Sequence, residues 1–300
     1  MQSIANFFHY PSRIFLGILK KTNYLYPDSL YLRLYYFLKM GKVLHLKDPI
    51  SFNEKLQWLK LYNRNPLYTI MVDKYEVKNY VSSIIGKDHV IPTIAVWDNI
   101  EEIDWDVLPR QFVLKTTHGG GGCGVVICRD KMLFDKGEAI KRLSASMKSN
   151  IYTEFREWPY KNVKKRIIAE RFLTNDGEEL IDYKIHSFNG IPKFILLCRN
   201  RFSETGLTED FYSIKWEHLD IKRPNRDNPG GIRRPKELEE MLSYARLLSK
   251  DIPFVRTDFY IVKGIVFFGE LTFFPASGMS LFEPEDYDRI FGTWLTLPEK

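Results

Sequence analysis

The sequence predicts an α+β fold built from amphipathic helices and antiparallel hairpins. A helix begins after Ser51, because Ser51 followed three residues later by Glu54 forms a capping box ahead of an apolar stripe. Two hairpins are indicated by tight turns between apolar runs, an Asn-Gly turn at 189–190 and a Lys-Gly turn at 263–264. Helices combined with antiparallel hairpins indicate the α+β class.

Composition supports a folded chain. The 300 residues are 44% hydrophobic and 15% aromatic, which is enough for one large domain or two to three lobes. The cysteines form neither a zinc pattern nor an even disulfide framework, which predicts a reducing compartment, the cytoplasm. They are Cys123, Cys128 and Cys198. The apolar run at 14–19 is far shorter than the about 20 residues of a membrane-spanning helix, so neither a span nor a signal peptide is predicted.

Residues 1–45 combine many aromatic and basic side chains with almost no acid. Such a segment either makes peripheral contact with an anionic membrane or caps the core as helices. For a cytoplasmic protein, the membrane surface contacted would be the inner face. Capping is the favoured interpretation. The net charge of +6 is spread along the chain, and no helix-turn-helix, RNA-binding or zinc-finger pattern occurs. Nucleic acid is therefore not predicted as a partner, whereas anionic substrates such as nucleotide phosphates or acidic sugars are.

After the capping-box helix, a second helix is predicted from about 66 to 83, carrying Asp73 and Lys74. Short strands follow around 90–91 and 94–96, then an acidic connector over 98–106. The next strand, residues 112–115, leads into a glycine loop.

The glycine loop is the first feature that points to chemistry. A strand ending at Lys115 and a strand at 125–128 flank four consecutive glycines, which predicts a hairpin whose flexible tip closes over a ligand. A Rossmann or Walker loop would instead lead into a helix. Glycines present successive N–H groups to phosphate oxygens, and a lysine at the strand end can reach a phosphate. A simple turn is the alternative, but it requires fewer glycines. The four are Gly119, Gly120, Gly121 and Gly122.

Further along, a helix is predicted near 134–149, a surface loop at 152–165, and a strand at 166–173 that ends in a turn at 174–177. The Asn-Gly hairpin follows, and alternation places Asp182, Lys184 and His186 on one face of its first strand. Residues 199–235 are predicted to be a long irregular excursion, and 236–249 a helix.

The last hairpin places two acids opposite each other. Asp258 and Glu270 each lie six residues from Gly264, so they face one another, as Arg256 faces Thr272. All four share one face, with Cβ atoms about 5 Å apart across the strands. Two facing carboxylates repel, and a divalent metal with an arginine nearby would neutralise them economically. The alternative is two solvated acids on an exposed face.

Taken in order, these motifs over about residues 70–280 resemble the ATP-grasp superfamily. Within it, the residues at 52–57, 115–121, 182–184 and 269–275 are similar to the TupA-like ATP-grasp group. That group is associated with bacterial cell-surface polysaccharide and teichuronopeptide biosynthesis, and some members are labelled glycosyltransferases. The resemblance implies two α+β lobes clamping ATP. The implied boundaries are an N-terminal helical region at 1–65, a pre-ATP-grasp region at 66–110, a glycine-loop lobe at 111–173 and a metal-hairpin lobe at 174–300.

The resemblance also implies residue roles. Asp258 and Glu270 would hold Mg²⁺ on the nucleotide phosphates, and Thr272 is a weaker ligand because many ATP-grasp enzymes have asparagine there. Arg256 would stabilise the transferred phosphoryl group, and His118 would approach the γ-phosphate. The remaining implied contacts to ATP come from Lys74, Lys115, the loop glycines, Glu170, Arg171, Leu173, Asp182 and Lys184.

The implied activity is an ATP-dependent carboxylate–amine ligase that forms an amide through an acyl phosphate. The implied carboxylate is a uronic acid of a glycan, gripped by arginines of 199–234, and the implied amine is an amino acid or another amine. A nucleotide-sugar glycosyltransferase is one alternative, but the Asp-x-Asp that it needs after a strand early in the chain occurs in that part only at Asp104 and Asp106. A sugar or lipid kinase, which the ATP site does not distinguish from a ligase, and a non-enzymatic membrane scaffold are the others.

Overall fold

The computed structural model describes residues 13–175, 180–199 and 206–299. Helices pack around two antiparallel sheets, which confirms the α+β class. The helices are α1 (13–21), α2 (Asp28–Met40), α3 (Phe52–Tyr62), α4 (Leu67–Val72), α5 (Glu76–Ile85), α6 (Lys136–Lys148), α7 (Ile151–Phe155), α8 (Leu238–Leu248) and α9 (Tyr287–Trp294).

The small sheet has the strand order β1-β4-β2-β3, and the large sheet has the order β7-β6-β5-β8-β9. The small sheet contains the glycine hairpin and the large sheet the acid hairpin. The strands are β1 (Thr93–Trp97), β2 (Phe112–Thr116), β3 (Val125–Cys128), β4 (Ile167–Arg171), β5 (Asp182–Phe188), β6 (Ile191–Arg199), β7 (Thr208–Ser213), β8 (Phe254–Val262) and β9 (Ile265–Thr272).

Two separate hydrophobic cores accompany the two sheets. The smaller core forms between β2, β4 and α6, where Phe112, Leu114 and Leu143 are buried. The larger core joins the large sheet to α2–α5, α8 and α9. Separate cores fit two lobes, although the predicted boundaries at 66, 111 and 174 stay predictions.

The capping box of α3 is confirmed. The Ser51 hydroxyl accepts the Glu54 N–H at 3.3 Å, and Glu54 Oε2 accepts the Ser51 N–H at 3.1 Å. Asn53 then ties the start of α3 to the C-terminal part, because its N–H donates to Asp288 at 2.9 Å and its amide nitrogen donates to the Ser280 carbonyl at 2.7 Å. Helix α3 is therefore fixed against the segment that follows β9.

The single helix predicted over 66–83 is wrong, because it breaks at residues 73–75 into α4 and α5. Asp73 Oδ1 accepts the N–H groups of Tyr75 at 2.8 Å and Glu76 at 3.2 Å, in the manner of an N-terminal cap. The Lys74 N–H donates to the Thr117 carbonyl at 3.0 Å. The break thus attaches Lys74 to the chain just before the glycine loop.

Two predicted loops contain regular structure. Residues 152–165 are not a surface loop, because helix α7 ends where Arg156 and Glu157 turn inward and are buried. The Arg156 guanidinium lies 4.1 Å from the centre of the Tyr31 ring. In the excursion over 199–235, strand β7 pairs with β6. Residues 176 and 177 of the predicted turn lie outside the described residues.

The N-terminal segment caps the core where it is described. Leu19, Tyr31, Leu32 and Tyr36 are buried against the rest of the larger core. Residues 1–12, which belong to the same predicted segment, lie outside the described residues. Within the described part of the chain, no helix is long and apolar enough to cross a membrane.

Candidate active site

A cleft lies between the small sheet and strand β9 of the large sheet. Lys115 on β2 and Glu170 on β4 line one wall, Phe268 on β9 lines the other, and Lys74 and Lys78 enter from the break before α5 and from α5 itself. Three lysines in one cleft provide positive potential for an anionic ligand.

Glu170 organises the cations of this cleft. Its two carboxylate oxygens lie 2.5 Å from the Lys78 and Lys115 ammonium nitrogens. Burial raises the pKa of Glu170, but the charges of Lys115 and Lys78 offset burial and leave the pKa below its usual value. Glu170 therefore orients the phosphate-binding candidate Lys115 from within the cleft.

Lys78 is a candidate that the sequence reasoning missed. Its ammonium also donates to the Ile91 carbonyl at 2.8 Å and to the Thr93 hydroxyl at 2.7 Å. The available signal was its spacing of four residues from Lys74, which is typical of one helix face. Because the chain breaks at 73–75, the tertiary structure rather than a continuous helix brings the two lysines together.

The glycine loop has a packed base and an open tip. A Cβ on Gly119 or Gly124 would meet the Thr116 hydroxyl at 2.6 or 2.4 Å, so close packing demands glycine at both positions. Gly121 and Gly122 have φ of 59° and 81° and open space around them. The ammonium of Lys74 donates to the Gly119 carbonyl. The tip glycines are therefore the ones free to contact a ligand.

His118 lies against α6 and does not line the cleft. Its Nε2 is 3.0 Å from the Ser146 carbonyl, and the ring is buried. Burial lowers the pKa of His118, so the neutral imidazole donates to that carbonyl. Its Nδ1 has no hydrogen-bond partner within the described residues. Contact with a γ-phosphate stays a prediction that this placement does not support.

Arg171 and Leu173, two of the implied contacts to ATP, differ in the backbone groups that they can offer to the adenine ring. The Arg171 N–H donates to the Pro92 carbonyl at 3.0 Å, so this amide is already engaged. Leu173 lies just beyond the end of β4 and is half-buried. Adenine binding by the backbone of Arg171 and Leu173 stays a prediction, and for Arg171 it is limited to the carbonyl group.

The predicted register of the acid hairpin is confirmed, with Asp258 opposite Glu270 and Arg256 opposite Thr272. Arg256 lies between the acids: its Nε and one terminal nitrogen each lie 2.6 Å from Asp258, and the same terminal nitrogen lies 2.9 Å from Glu270. Lys184 donates to Asp258 as well. Asp258 is only 1% exposed, so the interpretation as two solvated acids is wrong for Asp258, whereas the Glu270 side chain is 37% exposed.

Charge compensation at Glu270 is unusually strong. Burial raises its pKa, but Lys74, Arg256, Lys184 and Lys115 together lower it to about 2. Arg256 contacts this carboxylate at 2.9 Å, and Lys74, Lys184 and Lys115 act on it electrostatically from the α4–α5 break and from both sheets. Glu270 is ionised at any physiological pH, as a ligand for a divalent cation must be.

The pKa values of Asp258 and Lys184 are raised, whereas that of Glu270 is lowered. Burial raises the pKa of Asp258, with Arg256 and Lys184 opposing that shift. Burial lowers the pKa of Lys184, but Asp258, helped by Asp182 at 3.5 Å, brings it above its usual value. Asp182, one of the predicted ATP contacts, therefore lies beside Lys184. These groups form one electrostatic unit.

The donor set fits Mg²⁺. Two opposed carboxylates converge here, and the Thr272 hydroxyl reaches Glu270 Oε1 at 3.3 Å. The described residues contain no cluster of three or more acidic, histidine or cysteine ligands. Two carboxylates suffice for a magnesium site in which the ion is shared with substrate phosphates. Asp258 and Glu270 would hold the ion, and Thr272 stays the weaker candidate.

Three of the arginines in 199–234 are less available for substrate than the sequence implied, whereas Arg226 and Arg233 are exposed. Arg199 pairs with Asp210 at 2.8 Å, and Arg223 pairs with Glu209 at 3.1 Å. Arg234 also pairs with an acid. An arginine in such a pair can bind a substrate carboxylate only if its existing ion pair breaks.

The Asp-x-Asp pattern lies away from the cleft. Asp104 Oδ1 accepts the Asp106 N–H at 2.9 Å, and both residues are exposed in the connector between β1 and β2. This placement does not favour a glycosyltransferase metal site.

Comparison with known proteins agrees with this arrangement. The sequence profile of a family described as TupA-like ATPgrasp matches residues 54–296, which include the cleft and the acid hairpin. The chain belongs to the TupA-like ATP-grasp family. This match confirms the prediction of an ATP-grasp enzyme, an ATP-dependent ligase by class. A search of curated proteins found no match.

Solved structures that resemble this family member are distant. D-alanine–D-alanine ligase from Helicobacter pylori has 15% identity and a TM-score of 0.45, over 82% of this chain and 69% of that one. The ligase of that name from Bacillus anthracis has 19% identity and a TM-score of 0.45, over 78% and 68%. ATP-grasp ligase PsnB, complexed with minimal precursor, Mg and ADP, has 13% identity and a TM-score of 0.40, over 74% and 57%. The family assignment rests on the sequence match.

Replacing Lys115 with Met is expected to raise the Kd for ATP about 10- to 100-fold, because a buried lysine bonding a phosphate contributes about 1.5–3 kcal/mol. Glu170 keeps Lys78 as its partner, so the fold should persist. Calorimetric titration of ATP measures the effect. Lys141→Met, on the exposed face of α6, is the matched control. An unchanged Kd for Lys115→Met would contradict the assignment.

Proposed function

We propose that this TupA-like ATP-grasp protein joins a carboxylate to an amine through an acyl phosphate, with release of ADP and phosphate. The observation that supports this most is the convergence of four cations and Asp258 around Glu270, beside the glycine loop. Such an arrangement neutralises a polyphosphate and a metal together, which phosphoryl transfer requires.

In the first step, an oxygen of the substrate carboxylate attacks the γ-phosphorus of ATP while the bond to the β,γ-bridging oxygen breaks. Lys115 and Lys184 offset the charge on the phosphate oxygens, and Arg256 faces the transferred group. Asp258 and Glu270 would hold Mg²⁺, which would supply further charge neutralisation. Closure of the tip glycines Gly121 and Gly122 excludes water from the acyl phosphate.

In the second step, the amine nitrogen attacks the acyl carbon and the carbon–oxygen bond to phosphate breaks. Arg256 stabilises the oxyanion of the tetrahedral intermediate. The amine loses one proton as the amide forms, and inorganic phosphate leaves. No step requires a covalent bond between substrate and protein.

For the substrates, we propose a uronic acid of a cell-surface glycan as the carboxylate and an amino acid as the amine. The support is the association of the TupA-like group with cell-surface polysaccharide and teichuronopeptide biosynthesis, together with the excess of basic residues in the chain. The ion pairs of Arg199, Arg223 and Arg234 make the cleft lysines better candidates than these arginines for binding the carboxylate.

The decisive experiment measures ADP and phosphate release by the purified protein with ATP and Mg²⁺, across glucuronic and galacturonic acid glycans combined with mixed amino acids. Mass spectrometry then reads the products. ADP release with an amide adduct that has lost one water supports the ligase and names both substrates.

Two other outcomes would overturn the proposal. A phosphorylated sugar as the stable product would identify a kinase in which a hydroxyl replaces the carboxylate. Transfer from a sugar nucleotide without ATP consumption would identify a glycosyltransferase. Boiled protein and a reaction without the amine serve as controls, because an amide requires both the folded enzyme and the second substrate.

A further inference from the structure

Helix α2 has two apolar faces, and only one of them is covered. Tyr31, Leu32, Tyr35 and Tyr36 point into the core. On another side, Leu30, Leu34 and Phe37 follow helical spacing and are exposed, with Phe37 at 54%. A surface helix normally turns polar side chains to water, so this second apolar stripe lacks the expected partner within the described residues.

Helix α1 and the turn after it also carry exposed apolar side chains. Ile14, Phe15 and Ile18 are exposed on α1, with Ile14 at 63%. Tyr24 is 78% exposed and Leu25 is exposed beside it. Several large apolar side chains in one segment differ from the scattered single exposures of an ordinary surface. We call these eight side chains the N-terminal apolar face: Ile14, Phe15, Ile18, Tyr24, Leu25, Leu30, Leu34 and Phe37.

The charges of the segment that carries this face are almost all positive, although Lys20 and Lys42 are paired with Glu154 and Glu285. Exposed basic side chains are interleaved with the apolar ones at Arg13, Lys21, Arg33 and Lys39. Asp28 is the only acidic residue between 13 and 45. It is neutralised locally, because Arg64 lies 2.7 Å and Arg156 lies 3.0 Å from its carboxylate. The face therefore presents apolar groups within a net positive field.

We propose that the N-terminal apolar face docks on an anionic lipid bilayer. Apolar side chains among lysines and arginines match the boundary between acyl chains and negatively charged headgroups. Charge argues against a second copy of the chain as the occupant, because a two-fold interface would place this positive surface against itself. The docking holds the ATP cleft at the membrane without a spanning helix, and it does not depend on which carboxylate the enzyme uses.

The test is co-sedimentation of the full-length protein with lipid vesicles. One set is pure phosphatidylcholine, and the other contains a quarter phosphatidylglycerol. We expect at least about tenfold tighter binding to the anionic vesicles, with the difference shrinking as salt rises from 0.1 to about 0.5 M, since salt screens surface charge. The double variant Ile18→Gln/Phe37→Gln should lose most of the binding.

A control replaces two apolar residues elsewhere that are even more exposed than Ile18 and Phe37. Met132→Gln/Leu133→Gln changes a surface turn of the small lobe, where both side chains are more than four-fifths exposed, and should bind like wild type. Melting temperature and ATP affinity should match wild type in both double variants. The proposal would be overturned if the wild-type protein did not bind anionic vesicles. It would also be overturned if both double variants lost binding equally. A wild-type dimer that Ile18→Gln/Phe37→Gln converts to monomer without any effect on vesicle binding would overturn it as well.

Discussion

Glu270→Gln is expected to reduce turnover about 10²- to 10³-fold, the loss typical of removing one preorganised electrostatic contact from an active site. The change keeps the shape of the side chain but removes the negative charge on which Lys74, Lys115, Lys184 and Arg256 converge. The Mg²⁺-dependent part of the ATP affinity should fall with it. Calorimetric titration with and without Mg²⁺, together with ADP release on the identified substrate pair, measures both effects.

Glu138→Gln on the exposed face of α6 is the matched control for charge removal. Asp258→Asn should lose turnover to a similar extent and should also lower the free energy of unfolding by about 3 kcal/mol, because buried Arg256 and Lys184 each lose an ion pair and keep only Glu270 and Asp182 as charged partners. From the sequence alone, removing one of two repelling acids would relieve strain. The ion pairs reverse that expectation. Glu270→Gln with full activity would refute the metal assignment.

The second large effect concerns Lys60, which is fully buried in α3. Its ammonium donates to Gln57 Oε1 at 3.0 Å, to the Phe155 carbonyl at 2.9 Å and to the Ser277 carbonyl at 2.9 Å. Burial lowers the pKa of Lys60 to about 8, while the charge of Glu157 opposes this shift. Lys60 therefore links α3 to the end of α7 and to the segment around Ser277.

One of those segments is a turn that follows β9. Ala276, Ser277 and Gly278 have φ of 48°, 55° and 63°, a left-handed conformation that costs about 1–3 kcal/mol for each residue other than glycine. The Gln57 amide donates to the Ser277 carbonyl at 3.0 Å and to the Gly278 carbonyl at 2.7 Å. Lys60 and Gln57 therefore hold this turn against its own backbone preference, four residues after Thr272.

Lys60→Met is expected to lower the free energy of unfolding by about 3 kcal/mol at pH 7, because three buried acceptors lose their donor and Glu157 loses a neighbouring positive charge. The difference in free energy of unfolding between wild type and Lys60→Met should widen between pH 8 and about 10. The folded-state pKa near 8 lies below the unfolded value of about 10.4. The unfolded chain therefore holds more protons there, and wild-type stability rises with pH. Urea denaturation across this range measures the difference.

Lys141→Met again supplies the control, since an exposed lysine should change the free energy of unfolding by less than about 0.5 kcal/mol at every pH. A Lys60→Met protein as stable as wild type, or a deficit independent of pH, would contradict the prediction. Gln57→Leu provides a second probe of the same turn without any titrating group.

The acid hairpin illustrates what local sequence could predict. Symmetric pairing about Gly264 predicted Asp258 opposite Glu270, and the structure has that register. A two-residue turn at 263–264 alone would pair Asp258 with Gly269, and a β-bulge after Asp258 shifts the partner to Glu270. The broken helix at Asp73 shows the limit. The apolar pattern continues through 66–83, but the Asp73 side chain competes for the N–H groups of the following residues, and Thr117 holds Lys74 from the neighbouring lobe.

The sequence by itself determined the capping box and the hairpins, because each depends on residues within one helix or one strand–turn–strand unit. It determined the α+β class and the family through the order of these motifs along the chain. Only the tertiary structure decided which charges meet: Lys78 with Glu170, four cations on Glu270, and Lys60 under the left-handed turn. These groups lie far apart in the chain, and their pKa values depend on burial and on neighbours that no local pattern encodes.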